Sequence, residues 1–300
     1  MVDVGQLLAP AGTPAAGLDV LRLADLCRRL PPHLTGRPLR ASCHVLMLFS
    51  VGRGRHAIDF VDYECRPSTL LWGRPGQVHR LIGGPGLDAT VLLFTSALLP
   101  GPDGAGDPLD LLLHDPFAPA SWLPTGEDEE AIITEVAQLA TDRERLAAGE
   151  GVPVELLRHQ LAVLLVRVAA LAGTTAVPRA SETTVTRFHR ELAGSFAATR
   201  RVEDYAERLG VSVRTLTRAC LLTCGRSAKQ VIDARVALEA KRLLACGDEP
   251  VASVGRRLGF PEPTNFGRFF VRETGLTPGE FRATIGPRLT PSARPGVRGG

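Results

Sequence analysis

The chain has 300 residues, 44% of them hydrophobic and 22% charged, which is typical of an ordinary folded chain of about two domains and excludes bulk disorder. No apolar run is long enough to cross a membrane and no secretion signal is recognisable, so we expect a cytoplasmic protein. The net charge of +3 is unevenly distributed: residues from Thr184 onward include 20 basic and 11 acidic side chains, whereas the residues before it include 15 and 21. Such a basic C-terminal third is typical of a nucleic-acid-binding module.

Short apolar runs predict an antiparallel β-barrel or sandwich in the first part of the chain, for which we expect residues 1–125. The runs, separated by turn residues, are Ser42 to Val51, His56 to Tyr63, Thr69 to Trp72, Gln77 to Ile82, and Leu87 to Phe94. No helical segment separates them, which disfavours a doubly wound parallel sheet. Gly83-Gly84-Pro85-Gly86 is interpreted as a turn between strands, because a phosphate-binding loop would have to open a helix. An irregular connection is expected between residues 99 and 124.

Two amphipathic helices are predicted within residues 126–173. Glu127 to Ala148 opens with four acidic residues, and a second helix runs from Pro153 to Leu171. The second helix carries one apolar stripe: Leu157, Leu161, Leu164, Leu165 and Val168. The stripe either packs on the sheet or forms a homodimer surface through residues 153–171, and the sequence leaves both open. A linker over residues 174–185 and a disordered tail over residues 285–300 complete this division.

An internal duplication in the C-terminal third predicts two helix-turn-helix motifs. Val202 to Val211 aligns with Val251 to Phe260 at an offset of 49, and the residues that follow align at an offset of 50. In each copy a tiny residue stands four places before a glycine: Ala206 before Gly210, and Gly255 before Gly259. The tiny residue permits a close helix approach and the glycine a left-handed turn, as the motif requires.

The helix starts and the spacing of the two motifs support this interpretation. Ser212 stands at the N-cap of the second helix of the first copy, and Pro263 at the first position of its counterpart. One helix, Ala228 to Cys246, is predicted between the copies, with Cys220 and Cys224 before it as buried core residues. At about 1.5 Å per residue it spans on the order of 28 Å. Since successive major grooves lie about 34 Å apart, it could hold two recognition helices in adjacent grooves.

The exposed faces of the two second helices supply the candidate DNA-binding residues. Once the apolar stripe of each helix is assigned to the core, the remaining side chains are Arg214, Thr215, Thr217 and Arg218 in the first copy, and Thr264, Asn265, Arg268 and Arg272 in the second. Arginine, asparagine and threonine are side chains that read base edges in the major groove. The alternative is an ordinary solvated helix surface.

Residues 186–284 resemble the DNA-binding domain of the AraC/XylS family of bacterial transcription regulators. The matching motifs are Ala206-x3-Gly210-x-Ser212-x-Arg214-Thr215-Leu216-x-Arg218 and Gly259-Phe260-x-Glu262-Pro263-x-Asn265-Phe266-x-Arg268-x-Phe270. The resemblance implies a sequence-specific regulator, more often an activator, with double-stranded DNA and RNA polymerase as partners. Leu221, Leu222 and Ala228 depart from the family pattern, as does Arg201. We therefore expect the first motif to contribute less DNA affinity than the second.

The first domain is similar to the cupin-like regulatory domain of that family, through Gly54-x-His56-x-Ile58-Asp59-Phe60 and Pro75-Gly76-Gln77-Val78-His79. The expected fold is therefore α+β: a cupin-like antiparallel β-barrel with a helical segment, then an all-α domain of two helix-turn-helix motifs joined by a linker helix. The resemblance implies a small-molecule effector, whose binding residues are not assigned; Trp72, Arg74, His56 and His79 are more simply explained by ordinary packing.

Two other classes of protein were weighed. A cupin enzyme fused to a DNA-binding tail would need a His-x-His metal motif, and the sequence contains none, so we expect no metal, no cofactor and no catalytic residues. A basic architectural or interaction protein without sequence choice remains the alternative to a regulator.

Overall fold

The computed structural model describes residues 17–31, 34, 36–99, 109, 112–113, 118–171 and 184–285. In its described residues, the N-terminal part is built from antiparallel strands, the short helix α1 (Leu23–Arg29) and a 3-10 helix (Ser96–Leu98). The strands are β1 (Leu18–Arg22), β2 (Leu39–Arg40), β3 (His44–Val51), β4 (Gly54–Ile58), β5 (Val61–Cys65), β6 (Leu70–Gly73), β7 (Val78–Gly83), β8 (Asp88–Phe94) and β9 (Ser121–Trp122).

Two antiparallel sheets enclose the first core. A five-stranded sheet has the order β1-β8-β3-β6-β9 and a four-stranded sheet the order β2-β7-β4-β5. Val45, Met47 and Phe49 alternate along β3 and pack against Ile58 and Cys65 of the opposite sheet. The prediction of an antiparallel β domain followed by a helical domain is confirmed, as is the turn at Gly83-Gly84-Pro85-Gly86 between β7 and β8.

The predicted single strand from His56 to Tyr63 is wrong, because the chain reverses in its middle. Asp59 and Phe60 have φ angles of 50° and 70°, and Ile58 pairs with Val61 across the resulting hairpin of β4 and β5. The Asp59 carboxylate accepts hydrogen bonds from the backbone N of Val78 at 3.0 Å and the side chain of Gln77 at 2.6 Å. The turn therefore forms without glycine or proline, which are the residues from which a turn is usually predicted.

Helices α2 (Glu127–Ala147) and α3 (Val154–Leu171) cover the outer face of the five-stranded sheet. The predicted stripe on α3 is buried there: Leu157 is 2% exposed, and Leu161, Leu164, Leu165 and Val168 are 0% exposed. The stripe thus packs within the chain, as the first of its two interpretations proposed. Most of the predicted linker and all but the first residue of the predicted tail lie outside the described residues. In the described part of the chain, no helix is both long and apolar enough to span a membrane.

The described residues 184–285 form seven helices, of which the fourth is central. They are α4 (Thr184–Ser195), α5 (Val202–Leu209), α6 (Val213–Cys224), α7 (Ala228–Cys246), α8 (Val251–Arg257), α9 (Pro263–Thr274) and α10 (Pro278–Ile285). Helix α7 has the predicted bounds and begins with a capping box between Ser227 and Gln230. Val231, Val236 and Ala240 of α7 are fully buried between the two helix-turn-helix units.

The hairpin of β4 and β5 contacts the helical part. Arg242 of α7 donates to both carboxylate oxygens of Asp59, at 2.9 and 2.6 Å, and the Phe60 ring meets Phe281 of α10 edge-on at 5.4 Å. Arg40 of β2 donates to Glu239 of α7 at 2.7 Å. The β domain therefore rests on the helix that joins the two helix-turn-helix units.

Candidate nucleic-acid interface

The first helix-turn-helix unit, α5 and α6, is shaped by Gly210 and Ser212. Gly210 ends α5 in the left-handed conformation with a φ of 67°, and the Ser212 hydroxyl accepts from the backbone N of Thr215 at 3.1 Å. Both roles were predicted from the sequence. The Thr215 hydroxyl also lies 2.8 Å from the Ser212 hydroxyl, so this candidate DNA-binding side chain takes part in the cap as well.

The second unit, α8 and α9, reaches the same turn with tighter packing. A Cβ atom at Gly255 would lie 3.0 Å from the Phe266 Cβ, so the glycine permits the close approach of α8 and α9. Gly259 has a φ of 75°, and a Cβ there would lie 2.8 Å from the carbonyl oxygen of Ala197. Pro263 occupies the first turn of α9 with Glu262 at the N-cap, as predicted.

The two candidate recognition helices, α6 and α9, each bury one face and expose the other. Leu216 and Cys220 of α6 are 0% exposed, as are Phe266 and Phe270 of α9. On the opposite faces Thr217 is half-buried, while the other candidates are exposed: Arg214, Thr215, Arg218, Thr264, Asn265, Arg268 and Arg272. The polar faces are thus available to a ligand as large as a duplex.

A basic groove runs between α6 and α9, with a volume of about 1110 Å³. It brings together four of the eight predicted residues, Thr217, Asn265, Arg268 and Arg272; the other four lie outside its lining. Three further cationic residues line it that the sequence did not single out for DNA binding: Arg200, Arg201 and Lys229. Since phosphates are bound by such cations, the groove has the charge that a DNA backbone requires.

Asp233 of α7 lies in the wall of this groove and holds two of its cations. The carboxylate accepts from Lys229 at 2.5 Å and from Arg272 at 3.0 Å, and its side chain is only 9% exposed. Arg272 also donates to Glu273 at 2.8 Å and places its guanidinium 5.2 Å from the centre of the Phe269 ring. Arg272 is therefore tied to α7 and α9 by several contacts, unlike a side chain that extends freely into solvent.

Arg200 joins the segment before α5 to the turn of the second unit. It donates to the carbonyl oxygen of Gly259 at 3.1 Å, and its guanidinium lies 3.6 Å from the centre of the Phe260 ring. Burial lowers the pKa of Arg200 from its ordinary value, while the nearby Asp233 acts to raise it. In the sequence, Arg200 stands out only through its neighbour Arg201. Such a pair of arginines looks the same as ordinary surface charge until the fold places it in the groove.

In the β domain, the four residues considered for an effector pocket lie in two pairs: the Arg74 guanidinium is 5.2 Å from the centre of the Trp72 ring, and the His56 ring is 5.3 Å from the His79 ring. Trp72 lies on the outer face of the five-stranded sheet, where its indole donates to His44 at 3.3 Å, whereas His56 and His79 are buried with their ring nitrogens 3.0 Å apart. Burial lowers the pKa of His79 to about 4 and that of His56 well below its ordinary value, so both rings are neutral at pH 7. Within the described residues, no three metal-ligating side chains lie together.

Comparisons with known proteins find similar sequences over most of the chain. Residues 205–284 match a family model described as a helix-turn-helix domain. The transcriptional activator RhaS of Escherichia fergusonii is 28% identical over 253 residues, covering 80% of this chain and 84% of that protein, and RhaS of Citrobacter koseri is 24% identical over 250 residues with the same coverage. Among solved structures, ToxT from Vibrio cholerae O395 aligns over 90% of this chain and 98% of its own, with a TM-score of 0.43 and 12% identity. Residues 205–284 therefore belong to a helix-turn-helix domain family, and over most of its length the chain is similar to RhaS transcriptional activators.

Proposed function

We propose that the protein is a sequence-specific DNA-binding transcription regulator whose helices α6 and α9 enter adjacent major grooves. The observation that carries this proposal is that side chains of both candidate recognition helices, Thr217 of α6 with Asn265 and Arg268 of α9, line one basic groove beside the continuous helix α7. Because the relatives are named transcriptional activators, we propose activation rather than repression, with RNA polymerase as a partner. The family match and these relatives also confirm the prediction that the chain is not an enzyme.

The proposed roles divide into two kinds. Arg268 and Asn265 of α9, with Arg214, Thr215 and Arg218 of α6, would read base edges. Arg200, Arg201 and Lys229 would contact phosphates and supply affinity that falls steeply with salt. Arg272, tied to Asp233, would add a phosphate contact rather than a base contact.

Selection of bound duplexes from a random pool by the full chain tests the proposal. We expect enrichment of two short sequence blocks whose centres lie about one helical turn apart, roughly 10 base pairs. An unenriched pool would instead support an architectural protein that binds DNA without sequence choice. The Arg218→Ala/Arg268→Ala double variant is the control, and it should enrich both blocks less strongly, with a relaxed preference at the base pair that each arginine reads.

We also propose a homodimer through residues 153–171. Because the predicted apolar stripe of α3 is buried against the sheet, the dimer would form through the opposite, solvent-facing side of α3. Leu156, Val163 and Val166 are 42%, 44% and 54% exposed and recur at helical spacing on the side opposite the buried stripe. Val163→Glu should convert a dimer to a monomer in sedimentation velocity, whereas Arg158→Glu on the same helix should not. A wild-type monomer at micromolar concentration would contradict the dimer.

The remaining proposals follow from the regulator's task. A protein that acts on the chromosome and its polymerase works in the bacterial cytoplasm. We propose that residues 1–125 and 126–173 form the sensory and dimerising part, joined through 174–185 to the DNA-binding domain over 186–284 and followed by the tail over 285–300. An effector that binds the sensory part would act through the contact of Asp59 and Arg40 with α7.

A further inference from the structure

Asp233 of α7 is an acidic residue in a groove that otherwise has the charge of a phosphate-binding surface. The described lining of the groove has seven charged side chains: Arg200, Arg201, Glu203, Lys229, Asp233, Arg268 and Arg272. The Glu203 side chain is 61% exposed, so water screens its charge, whereas that of Asp233 is only 9% exposed. A poorly screened carboxylate repels a DNA backbone, so Asp233 bears directly on how the groove binds DNA.

The Asp233 carboxylate uses its two oxygens for two different cations. Oδ1 accepts from Lys229, one helical turn earlier on α7, at 2.5 Å, and Oδ2 accepts from Arg272 of α9 at 3.0 Å. Lys229 also donates to the backbone carbonyl oxygen of Arg200, before α5, at 3.4 Å, and the Arg200 side chain donates to the carbonyl oxygen of Gly259. A chain of polar contacts centred on Asp233 therefore joins both helix-turn-helix units to α7.

The two cations remain open to a ligand. The side chains of Lys229 and Arg272 are 52% and 60% exposed and line the groove, so Asp233 is the buried member of the trio. A phosphate can approach both cations from the solvent side without displacing the carboxylate. It then meets a trio with a net charge of +1, where the two cations alone would present +2.

The charge of Asp233 extends to a third cation of the groove. Burial lowers the pKa of Arg200, and the nearby Asp233 carboxylate acts against that change by stabilising the charged guanidinium. The carboxylate thus interacts with cations that belong to α7, to α9 and to the segment before α5. Its effect on phosphates in the groove is therefore exerted where the two units meet.

We propose that Asp233 is a specificity-determining residue of the DNA interface. It weakens the attraction of the groove for phosphates of any sequence, and it holds Arg272, and with it α9, in the orientation that base reading requires. Phosphate contacts carry no sequence information, so the first effect lowers the affinity for every duplex, whereas the second raises the affinity for the correct sequence alone. Because specificity is a difference between affinities, both effects favour the correct site in competition with other DNA. This role rests on the proposed function.

Fluorescence anisotropy of the full chain with a duplex of scrambled sequence tests the effect of the charge. Asp233→Asn keeps the size of the side chain and removes its charge, and should bind this duplex about threefold more tightly, with a salt dependence steeper by about one ion. Asp248→Asn is the matched control, because Asp248 is exposed in the same helical part and lies outside the described lining of the groove. It should leave both quantities unchanged. No gain in Asp233→Asn, or an equal gain in Asp248→Asn, would overturn the proposal.

A double variant shows whether released positive charge causes the gain. Asp233→Asn/Arg272→Gln returns the trio to a net charge of +1, so its affinity for the scrambled duplex should return to about that of the wild type. A double variant that bound as tightly as Asp233→Asn would contradict the role given to the charge.

The selected DNA site tests the effect on orientation. In Asp233→Asn the ratio of the affinities for the selected and the scrambled duplex should fall by about threefold or more, with the weaker preference confined to the block read by α9. An unchanged ratio would overturn the positioning role. Thermal unfolding of the free protein is measured alongside: a parallel fall in both affinities with a lower midpoint would show that Asp233 only stabilises the fold, and would overturn the proposal.

The two kinds of duplex separate the role of Asp233 from the proposed function. Binding to the scrambled duplex needs no selected site, so failure to select a sequence would contradict the proposed function and leave the measured effect of the charge intact. A successful selection with an unchanged affinity ratio in Asp233→Asn would contradict the role of Asp233 and leave the regulator intact.

Discussion

The two helix-turn-helix units reach the same backbone turn through different packing. In the first, Ala206 fills the helix crossing, and a Cβ at Gly210 would meet nothing within 4 Å. In the second, a Cβ at position 255 would lie 3.0 to 3.2 Å from three atoms of the Phe266 side chain, and one at Gly259 would lie 2.8 Å from the Ala197 carbonyl oxygen. The same motif is thus locally open in one copy and tightly enclosed in the other.

The second unit is also held by more of its surroundings. The Phe260 ring packs against Phe269 at 4.9 Å and beneath the Arg200 guanidinium, and Arg272 is bound to Asp233 of α7. At the end of α6, by contrast, Leu221 and Leu222 are 50% and 77% exposed, where the second copy has Val271 and Arg272. Helix α9 is therefore the more firmly held of the two helices, and we expect it to contribute more of the DNA affinity.

The largest expected difference between the units concerns their turn glycines. Gly210→Ala should lower the unfolding free energy by about 1 to 2 kcal/mol, because alanine is strained at positive φ. Gly259→Ala adds a clash with the Ala197 carbonyl and should lower the unfolding free energy by about 3 kcal/mol or more. Urea unfolding followed by far-UV circular dichroism measures both. Trp72 and Trp122 both lie in the β domain, so their fluorescence serves as an internal control and should report the same transition in both variants. An equal loss of unfolding free energy in the two variants would contradict the tighter packing around Gly259.

The matched arginines Arg218 and Arg268 test the functional difference. Arg268→Ala should lose about 1 to 3 kcal/mol of binding free energy on the selected DNA site and relax the preference at one base pair. Arg218→Ala should lose less than about 1 kcal/mol of binding free energy. Fluorescence anisotropy on the site and on single-base variants measures both. If Arg268→Ala weakened binding equally on every sequence, Arg268 would be a phosphate contact and its proposed role would be wrong.

Arg200 should matter for the placement of the second unit. Arg200→Ala removes a cation–π contact and a hydrogen bond, and we expect a loss of about 1 kcal/mol in unfolding free energy together with weaker DNA binding. Its neighbour Arg201 is exposed and forms long ion pairs with Glu203 at 3.7 Å and Asp204 at 3.9 Å, so Arg201→Ala should weaken DNA binding without lowering the unfolding free energy. A stability loss in Arg201→Ala as large as in Arg200→Ala would remove the distinction.

The smallest effect concerns the exposed end of α6. Leu222→Arg places a cation where the second copy has Arg272, and should raise DNA affinity by a few tenths of a kcal/mol and steepen the salt dependence by about one ion. Leu222→Gln is the matched control and should leave the salt dependence unchanged. Equal salt slopes in the two variants would show that this end of α6 does not approach a phosphate.

The sequence predicted the helical domain well because its signals are local. The turn glycines, Ser212, Pro263 and the apolar stripes each act within a few residues of chain, so their spacing alone defines both motifs. The hairpin at Asp59 and Phe60 escaped prediction, since its turn is stabilised by Val78, Gln77 and Arg242, which are distant in sequence. Asp233 escaped as well, because a buried acid that holds two cations has the same sequence appearance as a solvated one.

The spacing of the two recognition helices can be measured most directly by inserting base pairs between the two blocks of the selected site. Because α7 is one continuous helix of 19 residues with a buried face, we expect it to keep the distance between α6 and α9 nearly constant. Five inserted base pairs should lower the affinity to that of the block bound by α9 alone, and ten should not restore it, since the helix cannot lengthen by another turn of DNA. Undiminished affinity for the ten-base-pair insertion would contradict a rigid two-groove reader.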